Sequence, residues 1–355
     1  MTRFKIGDHW IGDKDPTYFI ADISANHDGS LERAKLLIRL AKEAGADAAK
    51  FQHFRAPYIV SDRGFKDLGR QLSHQARWHK SVFEVYQAAS LPWEWTPALK
   101  AHADEMGITF FSAPYDLEAV EMLDPYVPAY KIGSGDITWH EILKKIAEKK
   151  KPVILATGAS TLKDVDRAVA YIRSINPCVS LLQCNTNYTG SDDNFDHIHL
   201  NVLNTYRIRY PDLVLGLSDH TPGHAAVLGA VALGARIIEK HFTDDRRRDG
   251  PDHPFSMTPA TWETMVHRTR ELERALGSTE KVVCGNEEDT VVVQRRCLRA
   301  ARNLKVGTLL KRDDFSVLRP APPDGIFPYD LEKVVGRRLQ VDLSEGAPLT
   351  WPMID

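Results

Sequence analysis

Cysteine is scarce in this chain of 355 residues, and the four present, Cys178, Cys184, Cys284 and Cys297, share no CxxC spacing. That scarcity argues against a structural zinc site and a disulfide framework, and fits a reducing cytoplasm. Long apolar runs are missing too, so no membrane partner is expected. The opening Met1-Thr2-Arg3-Phe4-Lys5 leads into Ile6-Gly7-Asp8-His9-Trp10-Ile11, which reads as a hairpin with a Gly-Asp turn rather than a targeting helix. Neither sign of charge is in excess, since 46 Lys and Arg stand against 48 Asp and Glu. The net charge of −2 removes the case for a nucleic-acid partner. Glycine-rich phosphate loops are also absent: the first turn, Ala25-Asn26-His27-Asp28-Gly29-Ser30, has neither a GxGxxG nor a GxxxxGK[ST] pattern, so nucleotide binding is not expected. What is present, 43% hydrophobic and 26% charged residues, suffices for a large core and a smaller second domain.

From residue 19 to about 277 short apolar runs alternate with longer amphipathic ones. The strand candidates are Phe19-Ser24, Ala48-Gln52, Thr109-Ser112, Ala129-Ile132, Pro152-Ala156, Val179-Gln183, Leu213-Leu217 and Arg236-Lys240. The first intervening helix has Ser30 as its cap, Ala34, Leu37, Ile38 and Ala41 on one face and Gly45 past its end. The last opens at Thr258-Pro259 and stops at Gly277. Eight such repeats over about 250 residues have the size of a (β/α)8 TIM barrel; a doubly wound sheet is the alternative, with fewer strands and a glycine-rich first turn. The domain reading is a barrel over 1–280, a polar linker over 281–294 and a compact all-β domain over 295–355. Within the last, Asn303–Leu310 and Asp342–Leu349 echo each other weakly. Between the second and third strands, residues 53–108 form a long insertion carrying Arg55, Arg63, Arg70, His74, Arg77, Trp78, His79, Trp93 and Trp95. Insertions of that length at a barrel's carboxyl face shape substrate pockets.

Two histidines end apolar runs and open polar loops, in Leu213-Val214-Leu215-Gly216-Leu217-Ser218-Asp219-His220 and Ile237-Ile238-Glu239-Lys240-His241. Buried parallel strands read as apolar runs and ligands collect at their carboxyl ends, so the pair points to one divalent metal. The other strand ends deliver Asp22, Asn26 and His27, then Lys50 and Gln52, then Lys131, Ser134 and Asp136, then Thr157, then Asn185, Thr186 and Tyr188, and finally Ser218 and Glu239. Lys50 and Lys131 interrupt apolar runs, where an unpaired charge is expensive. Together with hydroxyls and the Gly133-Ser134-Gly135 turn they make a receptacle for a phosphate plus a carboxylate. Asp22 and Asp136 can complete a metal shell, hold a water or act as acid or base, and the residues alone leave these roles open. The run from Asp244 to Asp249 reads as solvated charge, with Asp252 as the residue suited to contact a polyol.

In collinear order, Ser24-Ala25-Asn26-His27-Asp28-Gly29-Ser30, Ala44-Gly45-Ala46-Asp47-Ala48-Ala49-Lys50-Phe51-Gln52, Tyr130-Lys131-Ile132-Gly133-Ser134-Gly135-Asp136, Gly216-Leu217-Ser218-Asp219-His220 and Glu239-Lys240-His241-Phe242-Thr243-Asp244 resemble the sialic acid synthase family. Val317-Leu318-Arg319-Pro320 and Gly336 are similar to the antifreeze-like (SAF) domain of those synthases. The resemblance implies a barrel with a β-clip-like tail. It also implies condensation of phosphoenolpyruvate with an N-acylated aminohexose, Mn²⁺ or Mg²⁺ on His220 and His241, and a homodimer in which each tail caps the partner's barrel. By motif position Lys50, Lys131, Ser134 and Ser218 hold phosphoenolpyruvate, Gln52, Tyr188, Asp252 and Arg319 meet the sugar, and Thr186 belongs to substrate binding. Asp22, Asp136, His220 and His241 are the catalytic set. The chain departs from the family pattern at Asp22 and Asp136, where Glu is common, at Ala113 and Ala156, where hydroxyls are common, and in Cys184-Asn185-Thr186-Asn187-Tyr188. Those departures leave open which sugar acid forms: a sialic, legionaminic, pseudaminic or non-acylated nonulosonate. A pyruvate aldolase using a Schiff-base lysine, a metal-dependent hydrolase and a non-catalytic carbohydrate-binding barrel are the competing readings. The first strand carries no HxH, and a barrel without activity has no reason to keep charge at its strand ends.

Overall fold

The computed structural model describes residues 3–355, so the first two residues of the expected hairpin start, Met1 and Thr2, lie outside it. The hairpin itself forms from β1 (Phe4–Ile6) and β2 (His9–Ile11), turning at Gly7-Asp8 with Gly7 at φ +57°. Phe4, Ile6 and Ile11 are buried in the main core.

Eight parallel strands follow: β3 (Tyr18–Asp22), β4 (Ala48–His53), β5 (Thr109–Pro114), β6 (Tyr130–Ile132), β7 (Val153–Ala156), β8 (Val179–Cys184), β9 (Val214–Asp219) and β10 (Ile237–His241). Their order is β5-β4-β3-β10-β9-β8-β7-β6, and β5 and β6 approach within 8 Å between Cα atoms, which brings the sheet round to a nearly closed barrel. Each strand is buried almost throughout, because its two faces meet the barrel interior and the surrounding helices. The eight predicted strands all form, with ends displaced by at most two residues.

The helices carry the expected signals. Helix Leu31–Glu43 is capped by the Ser30 side chain and buries Ala34, Leu37, Ile38 and Ala41. Helix Pro259–Leu276 opens with proline after Thr258 and ends at Gly277. Gly216 in β9 is required by close approach, since a Cβ there would collide with the carbonyl oxygen of Ile237 and crowd Leu182. Among the described residues no helix is long and apolar enough to cross a membrane, and all four cysteines are free thiols.

Residues 278–355 form a second compact unit. Its β11 (Cys297–Ala300) and β12 (Phe315–Leu318) pair antiparallel, and Leu298, Leu304, Leu310, Leu343 and Leu349 sit in its core. The two echoing segments pair with each other: Leu304 and Leu343 exchange backbone hydrogen bonds of 2.8 and 2.9 Å. The linker span contains a helix, Glu288–Gln294, whose first turn carries Glu288 and Asp289 and whose Val292 carbonyl accepts from the Ala321 N–H at 2.9 Å. Three successive valines mask the helical signal, because β-branched residues favour strands and the acidic first turn is too short to outweigh them in sequence.

Candidate active site

The strand register sets the floor of the site. Asp22 stands level with Lys50 on one side and His241 on the other, and Glu239 stands level with Ser218. Side chains alternate along a strand, so Lys50 and Gln52, Ser218 and His220, and Glu239 and His241 share the barrel interior at its carboxyl end. The intervening Asp219 and Lys240 turn to the opposite face. There the Lys240 ammonium donates to the Asp219 carboxylate and to the Thr221 carbonyl, a buried pair that ties β9 to β10 beside both histidines.

These residues open on a cavity of about 450 Å³. Asp22, Lys50, Gln52, Lys131, Ser134 and Asp136 line it, as do Thr186, Tyr188, Ser218, His220, His241 and Asp252. Arg319 lies in the second unit, where its Nε donates to the Gln294 carbonyl at 2.6 Å. Four residues expected at the mouth do not line the cavity; one of them, Asn185, instead donates its side-chain N–H to the His197 carbonyl at 3.2 Å. Asn26 is tied by its side-chain N–H to the Phe242 carbonyl and Ser256 Oγ, His27 Nδ1 accepts from the Gly29 N–H, and Thr157 Oγ1 donates to the Leu182 carbonyl. In these last three a buried polar group satisfies neighbouring backbone or loop groups, a demand that sequence does not distinguish from function.

Both lysines are paired, as their burial requires. Lys50 Nζ donates to Asp22 Oδ2 at 2.7 Å and lies 3.9 Å from Glu239 Oε1; Lys131 Nζ lies 3.4 Å from the same Glu239 oxygen. Burial works against the Lys50 charge, but Asp22 and Glu239 outweigh it and hold the ammonium pKa above its ordinary value. Asp22 is the hub of this floor, accepting also from Gln52 Nε2 at 3.0 Å and the Ser24 N–H at 3.1 Å. Glu239 Oε2 is buried and has no hydrogen-bond partner. Sequence reading delivered Glu239 to the mouth without a role; its placement between two ammonium groups is the missing information.

The rim carries the remaining chemistry. Ser134 Oγ accepts from the Gly158 N–H at 2.9 Å, and a side chain at Gly158 would overlap Thr186 Oγ1. Asp136 Oδ2 is buried without a partner, and burial pushes this carboxyl up to about 6 although Lys131 pulls the other way. A carboxyl raised in the folded state above its ordinary value of 3.8 contributes stability that is complete below about 3.8 and lost as pH rises through 6. Asp136→Asn is therefore expected to flatten the stability profile between pH 4 and 6 and to raise the thermal midpoint at pH 7 by about 2–4 °C. A profile unchanged in shape would show that Asp136 does not titrate in that window.

Asp252 accepts from Ser24 Oγ and from the Ala25 N–H at 3.3 Å, with Ser24 held at φ +46°, a strained conformation for a non-glycine residue. The loop that presents Asp252 is clamped: Asp28 bonds Arg33, Arg248 and His253, and Arg33 reaches Asp244 with both terminal nitrogens. The Asp244–Asp249 run is thus not simply solvated charge. Asp244 and Arg248 brace the loop, while the exposed Arg247 pairs only with neighbouring Asp245.

His220 and His241 face each other with ring centroids 5.6 Å apart. His220 Nδ1 lies 2.9 Å from the Asn185 carbonyl, which only accepts, so Nδ1 carries a proton and Nε2 is the ring position left for a ligand. That is the arrangement of a metal-ligating imidazole. His241 Nδ1 is buried without a partner, 3.8 Å from Asp252, and Nε2 lies 3.6 Å from Asp22, too long for a hydrogen bond. Two nitrogen donors with unsatisfied positions fit one divalent ion that retains water or substrate oxygens. Among the described residues no group of three or more His, Cys, Asp and Glu forms a metal cage.

The NeuB family matches residues 37–281 and the SAF domain matches residues 295–355. The N,N'-diacetyllegionaminic acid synthase of Legionella pneumophila is 35% identical over 344 residues, covering 95% of this chain and 94% of that protein. The N-acetylneuraminate-9-phosphate synthase of Homo sapiens is 32% identical over 347 residues, covering 98% and 95%. The crystal structure of the N-acetylneuraminic acid synthetase of Leptospira borgpetersenii, in complex with citrate, is similar with a TM-score of 0.72 at 27% identity, covering 82% of this chain and 95% of that one.

Proposed function

Because the chain belongs to the NeuB family of synthases and carries a SAF domain, we propose that it condenses phosphoenolpyruvate with an N-acylated aminohexose to give a nonulosonic acid and phosphate. The observation that carries this reading is the pairing of two buried lysines with a two-histidine wall in one cavity. Lys50 and Lys131 are cations for the phosphate and carboxylate of phosphoenolpyruvate, helped by Ser134 and Ser218. Gln52, Thr186, Tyr188 and Asp252 meet the sugar. His220 and His241 hold Mn²⁺ or Mg²⁺, which when bound polarises the open-chain aldehyde as a Lewis acid. C3 of phosphoenolpyruvate bonds to the aldehyde carbon, water adds to C2, and phosphate leaves, so one water is consumed for each phosphate released. Asp22 keeps Lys50 and Gln52 aimed at the reacting atoms through its two hydrogen bonds.

Phosphate release measured with phosphoenolpyruvate and Mn²⁺ across a panel of aldose acceptors tests the reading. Acceptor-dependent release with an N-acylated aminohexose is expected. Trapping of pyruvate on a lysine by borohydride would instead identify a Schiff-base aldolase.

The active unit in this reading is a homodimer in which Arg319 of the partner subunit reaches the sugar; a guanidinium suits fork-like contact with an acyl or hydroxyl oxygen. Arg319→Ala and His220→Ala, each inactive alone, are then expected to complement on co-expression. Random pairing places both lesions in one site of each heterodimer and none in the other, restoring roughly a quarter of all sites. Confirmed heterodimers without activity would put Arg319 over its own barrel, and full activity of Arg319→Ala alone would take it out of the reaction.

A further inference from the structure

Among the described residues, two ion pairs have both side chains at most 2% exposed. Lys50–Asp22 is part of the cavity floor, whereas Lys240–Asp219, at 1% and 0%, does not border the cavity at all. Strand alternation explains the difference: Ser218, His220, Glu239 and His241 line the cavity, while Asp219 and Lys240, level with each other in the register of β9 and β10, face outward. The outward positions two residues earlier on the same strands are Leu217 and Ile238, both apolar and fully buried, as a layer between sheet and helices requires.

The outward pair belongs to a closed knot. Lys240 Nζ donates to the Asp219 carboxylate and, at 2.6 Å, to the Thr221 carbonyl; Asp219 in turn accepts from the Thr221 N–H at 2.9 Å and from the Thr221 hydroxyl at 3.0 Å. His220 is therefore the middle residue of a tripeptide pinned on both sides, and the ammonium that pins it belongs to the residue before His241. The two rings have little else to aim them. His220 makes one side-chain hydrogen bond, to the Asn185 carbonyl, and His241 makes none, so the aim of His241 is set by its backbone and by packing on Phe255. Stability alone does not account for a charged knot in an apolar layer, because a buried ion pair is commonly replaced by apolar residues of similar volume without loss. Its place on both sides of His220 and directly before His241 does.

Resting on the reading of the two histidines as metal ligands, we propose that Asp219, Thr221 and Lys240 are positioning residues for the metal site. From the outer face of the strands the knot fixes the separation of the His220 and His241 rings, 5.6 Å between centroids, while touching neither phosphoenolpyruvate nor the acceptor. Loosening the knot widens the range of separations that the two rings sample, and a divalent ion that needs both nitrogens at once then binds more weakly. Groups that orient metal-ligating side chains from behind change affinity by about 10–100-fold when they are removed.

The test is the Mn²⁺ dissociation constant of the full-length chain, read from free Mn²⁺ by electron paramagnetic resonance, with urea unfolding of the metal-free protein alongside. Asp219→Asn combined with Lys240→Met removes both charges, so neither is stranded, and is expected to raise the dissociation constant about 10–100-fold. Leu143→Ala controls for stability. This buried residue lies in helix His140–Glu148, which supplies no cavity residue, and its truncation should lower the urea midpoint at least as much while leaving Mn²⁺ affinity within about twofold of wild type. If the double variant does not fold, Thr221→Val decides in its place: it deletes one hydroxyl hydrogen bond of the knot and should raise the dissociation constant at least about threefold. Wild-type affinity in the deciding variant, or an equal loss of affinity in Leu143→Ala, would overturn the positioning role and leave the metal reading intact. A wild-type chain that binds no Mn²⁺ would overturn the metal reading and this inference with it.

Discussion

Lys50→Met is expected to lower kcat/KM for phosphoenolpyruvate by about 10²–10³-fold and, separately, to destabilise the barrel by about 3–5 kcal/mol. The two effects have different origins. The loss of activity follows from removing one of only two cations in the cavity. The loss of stability follows from leaving Asp22 buried: the 2.7 Å contact with Lys50 supplies its charged partner, while Gln52 and the Ser24 amide offer only neutral donors. A second substitution separates them. Adding Asp22→Asn to Lys50→Met replaces the stranded charge with a neutral group, so most of the stability should return in urea unfolding while turnover stays low. Stability unchanged in the single variant would mean that Lys50 does not neutralise Asp22. A phosphoenolpyruvate KM unchanged in both variants would remove Lys50 from that substrate.

The same pair shows what could be read from residues alone. Lys50 and Lys131 declared themselves because a charge in an apolar run must be paired or functional, and the barrel followed from eight apolar runs at regular spacing. The partners were not legible. Asp22 is 28 residues from Lys50 and Glu239 lies more than 100 residues from Lys131, so only strand order brings them together. The part of the cavity wall that follows β4 was half visible: His74 and Trp78 stood out as unusual residues in a long insertion, yet its pieces are short helices and turns without an apolar period, which leaves Phe54 and Tyr86 indistinguishable from core. Asn26, His27 and Thr157 failed for the opposite reason. They sit after strands, where functional residues collect, but their polar atoms are consumed by loop hydrogen bonds that only coordinates reveal.

His220→Ala and His241→Ala are each expected to abolish turnover, with a loss of at least 10³-fold, while the fold remains close to wild type. The two rings sit in a cavity wall, and what each substitution removes structurally is limited. His220 gives up one hydrogen bond to the Asn185 carbonyl and an edge contact with Tyr188; His241 gives up a contact with Phe255 at 4.8 Å and no hydrogen bond. The orphaned His241 Nδ1 makes a purely structural role hard to sustain, because a buried nitrogen without a partner costs about 1–3 kcal/mol and is kept where something else is gained. If the gain is a metal ion, wild type should bind one Mn²⁺ per chain by metal analysis after gel filtration, and either alanine variant should bind far less. The double variant should be no worse than the singles, since two ligands of one ion act as a unit. Chelation with EDTA should remove activity and readdition of Mn²⁺ should restore it in wild type alone. Full activity after exhaustive chelation, or equal Mn²⁺ content in wild type and both variants, would show that the histidines work without a metal, leaving His220, with its proton fixed on Nδ1, to accept a hydrogen bond at Nε2 from the acceptor itself.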